Sequence, residues 1–223
     1  MDSVKCLPRR LRASIESLLF VVALALSHAG SAQPAHADAS ATLDAFLSGV
    51  HSLTADFKQE IYAADQRLLE TDTGTLSLAR PNLFRWSQAE PSELVVVADG
   101  KKLWTYDVEL AQVTVAPLDD TVNSSPAMLL SGDRGVRDGF DVVETFSRDG
   151  LDWVRLAPKA GGSDFSSVLI GFEGKSPRRL ELVDGVNQIT RIALANVVVN
   201  PELAAGVFEF KPPAGVHVLG GKS

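Results

Sequence analysis

The chain has 223 residues, with 21 Lys and Arg against 28 Asp and Glu and a formal net charge of −7. An acidic balance argues against nucleic acid and against adsorption to anionic headgroups. The single cysteine, Cys6, lies near the N-terminus, so the rest of the chain has neither a disulfide nor thiolate chemistry.

The first element is a leader. Lys5, Arg9, Arg10 and Arg12 form a positive head, and Leu18–Leu26 is an apolar run. Small residues follow, with Gly30-Ser31-Ala32 and Ala35-His36-Ala37 as cleavage sites. The pattern is that of a secretory signal peptide over 1–32, cleaved after Ala32 or Ala37 and too short for a transmembrane span. Glu16, just before the apolar run, is atypical, and a retained membrane anchor is the competing reading. No cysteine stands at either site for attachment of a lipid. Past Ala32, 17 basic residues face 26 acidic ones, a net charge of −9. No other apolar run reaches the ~18 residues that a span requires, so a soluble product is expected. Residues 38–223 suffice for one β-rich domain with a sizeable core.

Leu43, Phe46, Leu47 and Val50 fall at i, i+3, i+4 and i+7, which predicts an amphipathic helix of about three turns. Strict alternation follows. Leu53, Ala55, Phe57, Gln59 and Ile61 oppose Thr54, Asp56, Lys58, Glu60 and Tyr62, giving a strand with a dry and a wet face. Asp-Gly pairs at 99–100, 149–150 and 184–185 signal hairpin turns. Strands are expected near 54–62, 67–79, 83–88, 93–98, 101–107, 111–116, 140–147, 151–158, 165–173, 178–184, 188–198 and 207–211. Connections this short predict antiparallel neighbours. A mainly β, single domain of eleven or twelve strands must curl to bury its dry faces.

The pattern breaks at 117–139. Ser124 or Ser125 can cap a helix whose first turn suits Pro126. Met128, Leu129 and Leu130 give it a brief apolar face, and Gly132, Gly135 and Gly139 follow. A short helix between such segments reads as a lid, or as a plain connection across a barrel mouth.

Signals of catalysis are poor. HExxH, CxxC and GxSxG are all missing from the sequence, so the common zinc and hydrolase templates do not apply. No catalytic residue, metal ligand or cofactor is assigned. Asp119-Asp120 reads as a solvated loop pair in preference to a cation site. Asn123-Ser124-Ser125 matches a glycosylation acceptor, a triplet common by chance. Apolar residues are more telling: Phe57, Leu76, Leu78, Phe84, Trp86, Val96, Leu103 and the helix face can all point inward. Read alone, such residues are in most β domains simply the core.

The most informative run is 79–86, Ala-Arg-Pro-Asn-Leu-Phe-Arg-Trp. Its Arg-Pro-Asn turn leaves one strand and enters another, in which Phe84 and Trp86 share a face. Arg80 thus stands at the rim of an aromatic surface, while Arg85 points outward. The run resembles the signature of the outer-membrane lipoprotein carrier family, the LolA-type periplasmic chaperones. Three more blocks fit in order: Leu43–Gln59 is similar to the family's first helix and strand, Ser125–Leu130 to its lid helix, and Phe208–Val218 to its closing strand and Pro-Pro turn. The chain ends soon after Gly220-Gly221, which leaves an extra terminal strand open.

The resemblance implies an unclosed antiparallel β-barrel, covered by short α-helices that form a lid over an apolar cavity for acyl chains. The implied lining is Leu43, Leu47, Val50, Leu53, Phe57, Leu76, Phe84, Trp86, Val96, Met128 and Leu130. Arg80 becomes a latch that holds the lid through backbone carbonyls; without the resemblance it reads as a solvated turn residue. The implied activity is that of a non-enzymatic, monomeric periplasmic chaperone. It takes triacylated lipoproteins from an inner-membrane ABC-type release complex and delivers them to an outer-membrane receptor. The alternative is a lipid-sensing or envelope-stress regulatory protein on the same fold, although such proteins usually carry a second domain.

Overall fold

The structure, a computed structural model, describes residues 39–118, 130–131, 136, 139–159 and 163–220. The leader therefore lies outside the described residues, as do Met128 and all of the expected lid helix except Leu130. Helix α1 spans Ala39–Gly49. It buries Leu43 and Phe46, with Val50 just beyond its end, as the 3.6-residue period requires. Twelve strands follow: β1 Ser52–Tyr62, β2 Leu68–Ala79, β3 Leu83–Glu90, β4 Leu94–Asp99, β5 Lys102–Asp107, β6 Gln112–Pro117, β7 Phe140–Arg148, β8 Leu151–Pro158, β9 Phe165–Glu173, β10 Ser176–Asp184, β11 Ile189–Val199 and β12 His217–Gly220. The first eleven match their expected ends to within two residues. At the β7–β8 turn both Asp149 (φ 55°) and Gly150 (φ 76°) are left-handed, the conformation that makes Asp-Gly a hairpin signal.

All twelve strands form one sheet in the order β12-β6-β5-β4-β3-β2-β1-β11-β10-β9-β8-β7. The end strands β12 and β7 do not pair with each other, so the barrel is unclosed. Its curl follows from α1. The helix packs against β7 and β8, and Phe46 lies 5.8 Å from Phe172 of β9. Yet its last turn reaches the β2–β3 turn through Arg80. In a flat sheet β2 and β8 would stand ~24 Å apart, five spacings of ~4.8 Å. A helix of eleven residues is only ~16 Å long. Only a curled sheet brings both within its reach.

The C-terminal expectation requires correction. Residues 207–211 do not form a strand, and the twelfth strand is instead 217–220. It pairs with β6 in parallel, so the sheet is not wholly antiparallel. The physical reason lies in the partners of this segment. Phe210 packs on Trp104 and Tyr106, with ring centroids at 5.7 and 6.0 Å, and Val207 O accepts from Arg85 at 3.5 Å. The segment thus lies over the outer face of the sheet and packs Phe210 there, where Val97, Val113 and Val115 are also buried. Pro212 and Pro213 lack the N–H a ladder needs. The long return from β11 then allows the parallel register of β12.

The main core lies on the inner face, where α1, Leu118, Leu130 and Val136 join alternate residues of the strands. A smaller cluster of Leu151, Trp153 and Leu169, with Phe146, occupies the other face of β7–β9. Trp153 lies flat over Gly171, where a Cβ would stand 3.0 Å from its ring.

Candidate functional site

The Arg80-Pro81-Asn82 turn joins β2 to β3 and faces two elements at once. Arg80 N donates to His51 O at 2.8 Å, in the link between α1 and β1. Asn82, with a φ of 60°, donates its N–H to Ser131 O at 2.9 Å. Leu130 and Ser131 are helical and buried. The turn therefore sits between the end of α1 and the segment expected to be the lid.

The half-buried guanidinium of Arg80 spans the same gap. Nε and Nη2 donate to Leu130 O at 3.2 and 2.8 Å. Nη1 donates to Phe46 O at 3.3 Å and to Leu47 O. Phe46 O also accepts from Val50 N at 3.1 Å, but carbonyls at a helix C-terminus carry partial negative charge, so a cation is favoured there. The guanidinium carbon also lies 5.0 Å from the centroid of the Phe46 ring. Burial pushes the Arg80 pKa below its ordinary value, but an arginine stays charged.

Behind the turn lie the aromatic residues. Phe84 pairs with Leu78 and Ala98 across the ladders, and Trp86 with Leu76 and Val96. The Trp86 ring stacks on Phe57 at a centroid distance of 3.6 Å and an interplanar angle of 24°. Gly74 makes this stack fit: a Cβ there would stand 2.8 Å from the Phe57 ring and 2.0 Å from Ser87 O. Leu43, Leu47, Val50, Leu53, Phe57, Leu76, Phe84, Trp86, Val96 and Leu130 all meet in one inner-face cluster, with Leu47 and Val96 partly buried. Leu78 and Leu103 belong to it as well.

Sequence reasoning missed the contact of Arg80 with α1. The carbonyls of Phe46 and Leu47 lie more than thirty residues from Arg80, so no local pattern links them. It also missed Asn200, whose Oδ1 accepts from His51 N at 2.7 Å and whose Nδ2 donates to Gly49 O at 3.0 Å. That side chain clasps the α1–β1 link from the end of β11. Arg85 points outward as expected, but it also bonds Ser87 Oγ at 3.3 Å and helps anchor the C-terminal segment.

Residues 48–211 match the family model described as "Outer membrane lipoprotein carrier protein LolA". The chain is 39% identical over 186 residues to an outer-membrane lipoprotein carrier protein of Dechloromonas aromatica, covering 83% of this chain and 89% of that one. It is 37% identical over 200 residues to the protein of the same name from Methylococcus capsulatus, covering 90% and 96%. Among solved structures it resembles an uncharacterized conserved protein from Thermus thermophilus. There the TM-score is 0.52, the identity 13% and the coverage 82% of this chain and 99% of that one, a likeness of fold.

Proposed function

This chain belongs to the outer-membrane lipoprotein carrier family, and from that premise we propose that its inner face receives lipoprotein acyl chains in the periplasm. Transfer proceeds from an inner-membrane ABC-type release complex to an outer-membrane receptor, and the protein itself performs no catalysis. The observation that carries this reading is the Arg80 guanidinium, which ties two covers, α1 and the segment of Leu130, over one apolar face.

The physics fits. An acyl chain of ~15 methylenes costs roughly 12 kcal/mol to expose to water, at ~0.8 kcal/mol per CH₂. Triacylated cargo therefore needs an apolar escort across an aqueous compartment. A carrier must also let go. In this structure the inner-face residues pack with α1 in one buried cluster, so the empty state has favourable contacts of its own. Loading exchanges these contacts for contacts with acyl chains, and release regains them. The hydrogen bonds of Arg80 form with the closed covers and so count toward the empty state.

The test is depletion of the protein in its own cell. Outer-membrane lipoproteins are expected to accumulate at the inner membrane, and triacylated proteins to co-purify with the tagged carrier. Normal lipoprotein sorting after full depletion, with no lipid recovered on the protein, would overturn the reading.

A further inference from the structure

The apolar inner face ends in a polar patch beyond the Phe57–Trp86 stack. Gln59, Asp72 and Gln88 continue the inward alternation of β1, β2 and β3. Gln59 pairs directly with Asp72, and Gln88 with Gly74. Asp72 is only 1% exposed. Its Oδ2 accepts from Gln59 Nε2 at 2.9 Å, whereas among the described residues no donor reaches its buried Oδ1. Glu70 is the next residue on this face, and the charge of Asp72 pushes its carboxyl above the usual range.

A buried carboxylate oxygen without a donor is unfavourable, and a fold selected for stability alone would replace it. An ionised carboxylate accepts hydrogen bonds and donates none, so its complement is an N–H or O–H group. Acyl chains and glyceryl esters have no such group. The nitrogen of a lipidated N-terminal cysteine has one, either as a free ammonium or as an acylated amide N–H. We propose that Asp72, held by Gln59, receives that nitrogen when the acyl chains occupy the adjoining apolar face. This site rests on the reading of the inner face given above.

The test uses the purified protein and three probes: an S-(dipalmitoylglyceryl)cysteine peptide with a free amine and an uncharged Ser-Gly tail, its N-acetylated counterpart, and the methyl ether of dipalmitoylglycerol, which has neither N–H nor O–H. The wild-type protein is expected to bind at least one lipopeptide about ten-fold or more tightly than the methyl ether, the effect of one charge-assisted hydrogen bond. The probe with the larger gain identifies ammonium or amide as the partner. Asp72→Asn and Asp72→Ser should each remove most of the gain, leave binding of the methyl ether unchanged and not lower the melting temperature. Equal affinity for probes with and without nitrogen overturns the site alone, as does an equal loss for every probe in the variants. Lower melting temperatures in both variants would make Asp72 structural and also overturn it. Failure of every acyl probe to bind the wild-type protein is a different result and removes the acyl-chain reading as well.

Discussion

Replacing Arg80 by Leu keeps most of the side-chain bulk and removes every donor. Three carbonyls then lose the guanidinium as a donor: Leu130 O on one cover, and Leu47 O and Phe46 O on the other, of which Phe46 O keeps the amide of Val50 at 3.1 Å. A hydrogen bond to a charged group contributes about 1.5–3 kcal/mol. The site is half-buried, so water replaces part of what is lost, and the leucine can still lie against Phe46. A net loss of about 2 kcal/mol of closure follows, roughly a thirty-fold rise in the open population. The backbone bonds of the turn, from Arg80 N to His51 O and from Asn82 N to Ser131 O, are untouched, so the fold should persist. Two assays check this. Hydrogen exchange should speed up at Phe46–Gly49 and near Leu130 and stay unchanged in β8–β10. A transfer assay with separate donor and acceptor membranes should show normal uptake and poor delivery, because release no longer regains the closing energy. Unchanged exchange at the end of α1, or equal effects on both transfer steps, would refute the latch.

Other outcomes follow from the same geometry. Gly74→Ala should destabilise the protein by about 1–3 kcal/mol, toward the upper end because the new Cβ meets the backbone of Ser87 as well as the Phe57 ring; thermal unfolding decides it, and an unchanged melting temperature would sink the packing argument. Trp86→Phe should abolish most of the change in intrinsic fluorescence when a lipopeptide is added, although Trp104 and Trp153 remain; a response that survives would place the chains elsewhere. Burial works against ionisation of Asp99, but the indole N–H of Trp104 and the amides of Lys101 and Lys102 hold its pKa below the usual carboxylate value. Its folded-state pKa is thus lower than its unfolded one, so its stabilisation is complete above about pH 4 and is lost as pH falls through the depressed value. Asp99→Asn should flatten the acid limb of a plot of melting temperature against pH, and an identical limb would refute the assignment.

Local chemistry made most of the strands legible. Alternation fixes which side chains share a face, because the side-chain period of a strand is two residues wherever the strand ends up. Leu53, Phe57, Phe84 and Trp86 could therefore be placed inward before any partner was known. The Asp149-Gly150 turn worked for a similar reason, since the left-handed backbone it needs is a property of those residues themselves. The tail was different. Val207–Lys211 alternates like a strand, but alternation specifies a buried face and not a hydrogen-bonded neighbour. That face was satisfied against Trp104 and Tyr106, and the ladder went to His217–Gly220.

The sequence by itself thus determined the inward and outward sets of residues, the hairpins and the family to which the chain belongs. Only the tertiary structure decided what Arg80 holds, because the carbonyls of Phe46, Leu47 and Leu130 converge on it from 34, 33 and 50 residues away. It also decided that Asp72 is buried with one oxygen lacking a donor. On β2 that aspartate reads as one more polar residue in the Glu70–Thr75 stretch. Its burial depends on which strands close over it, and contacts between distant segments arise from the curl of the whole sheet, which no local period encodes.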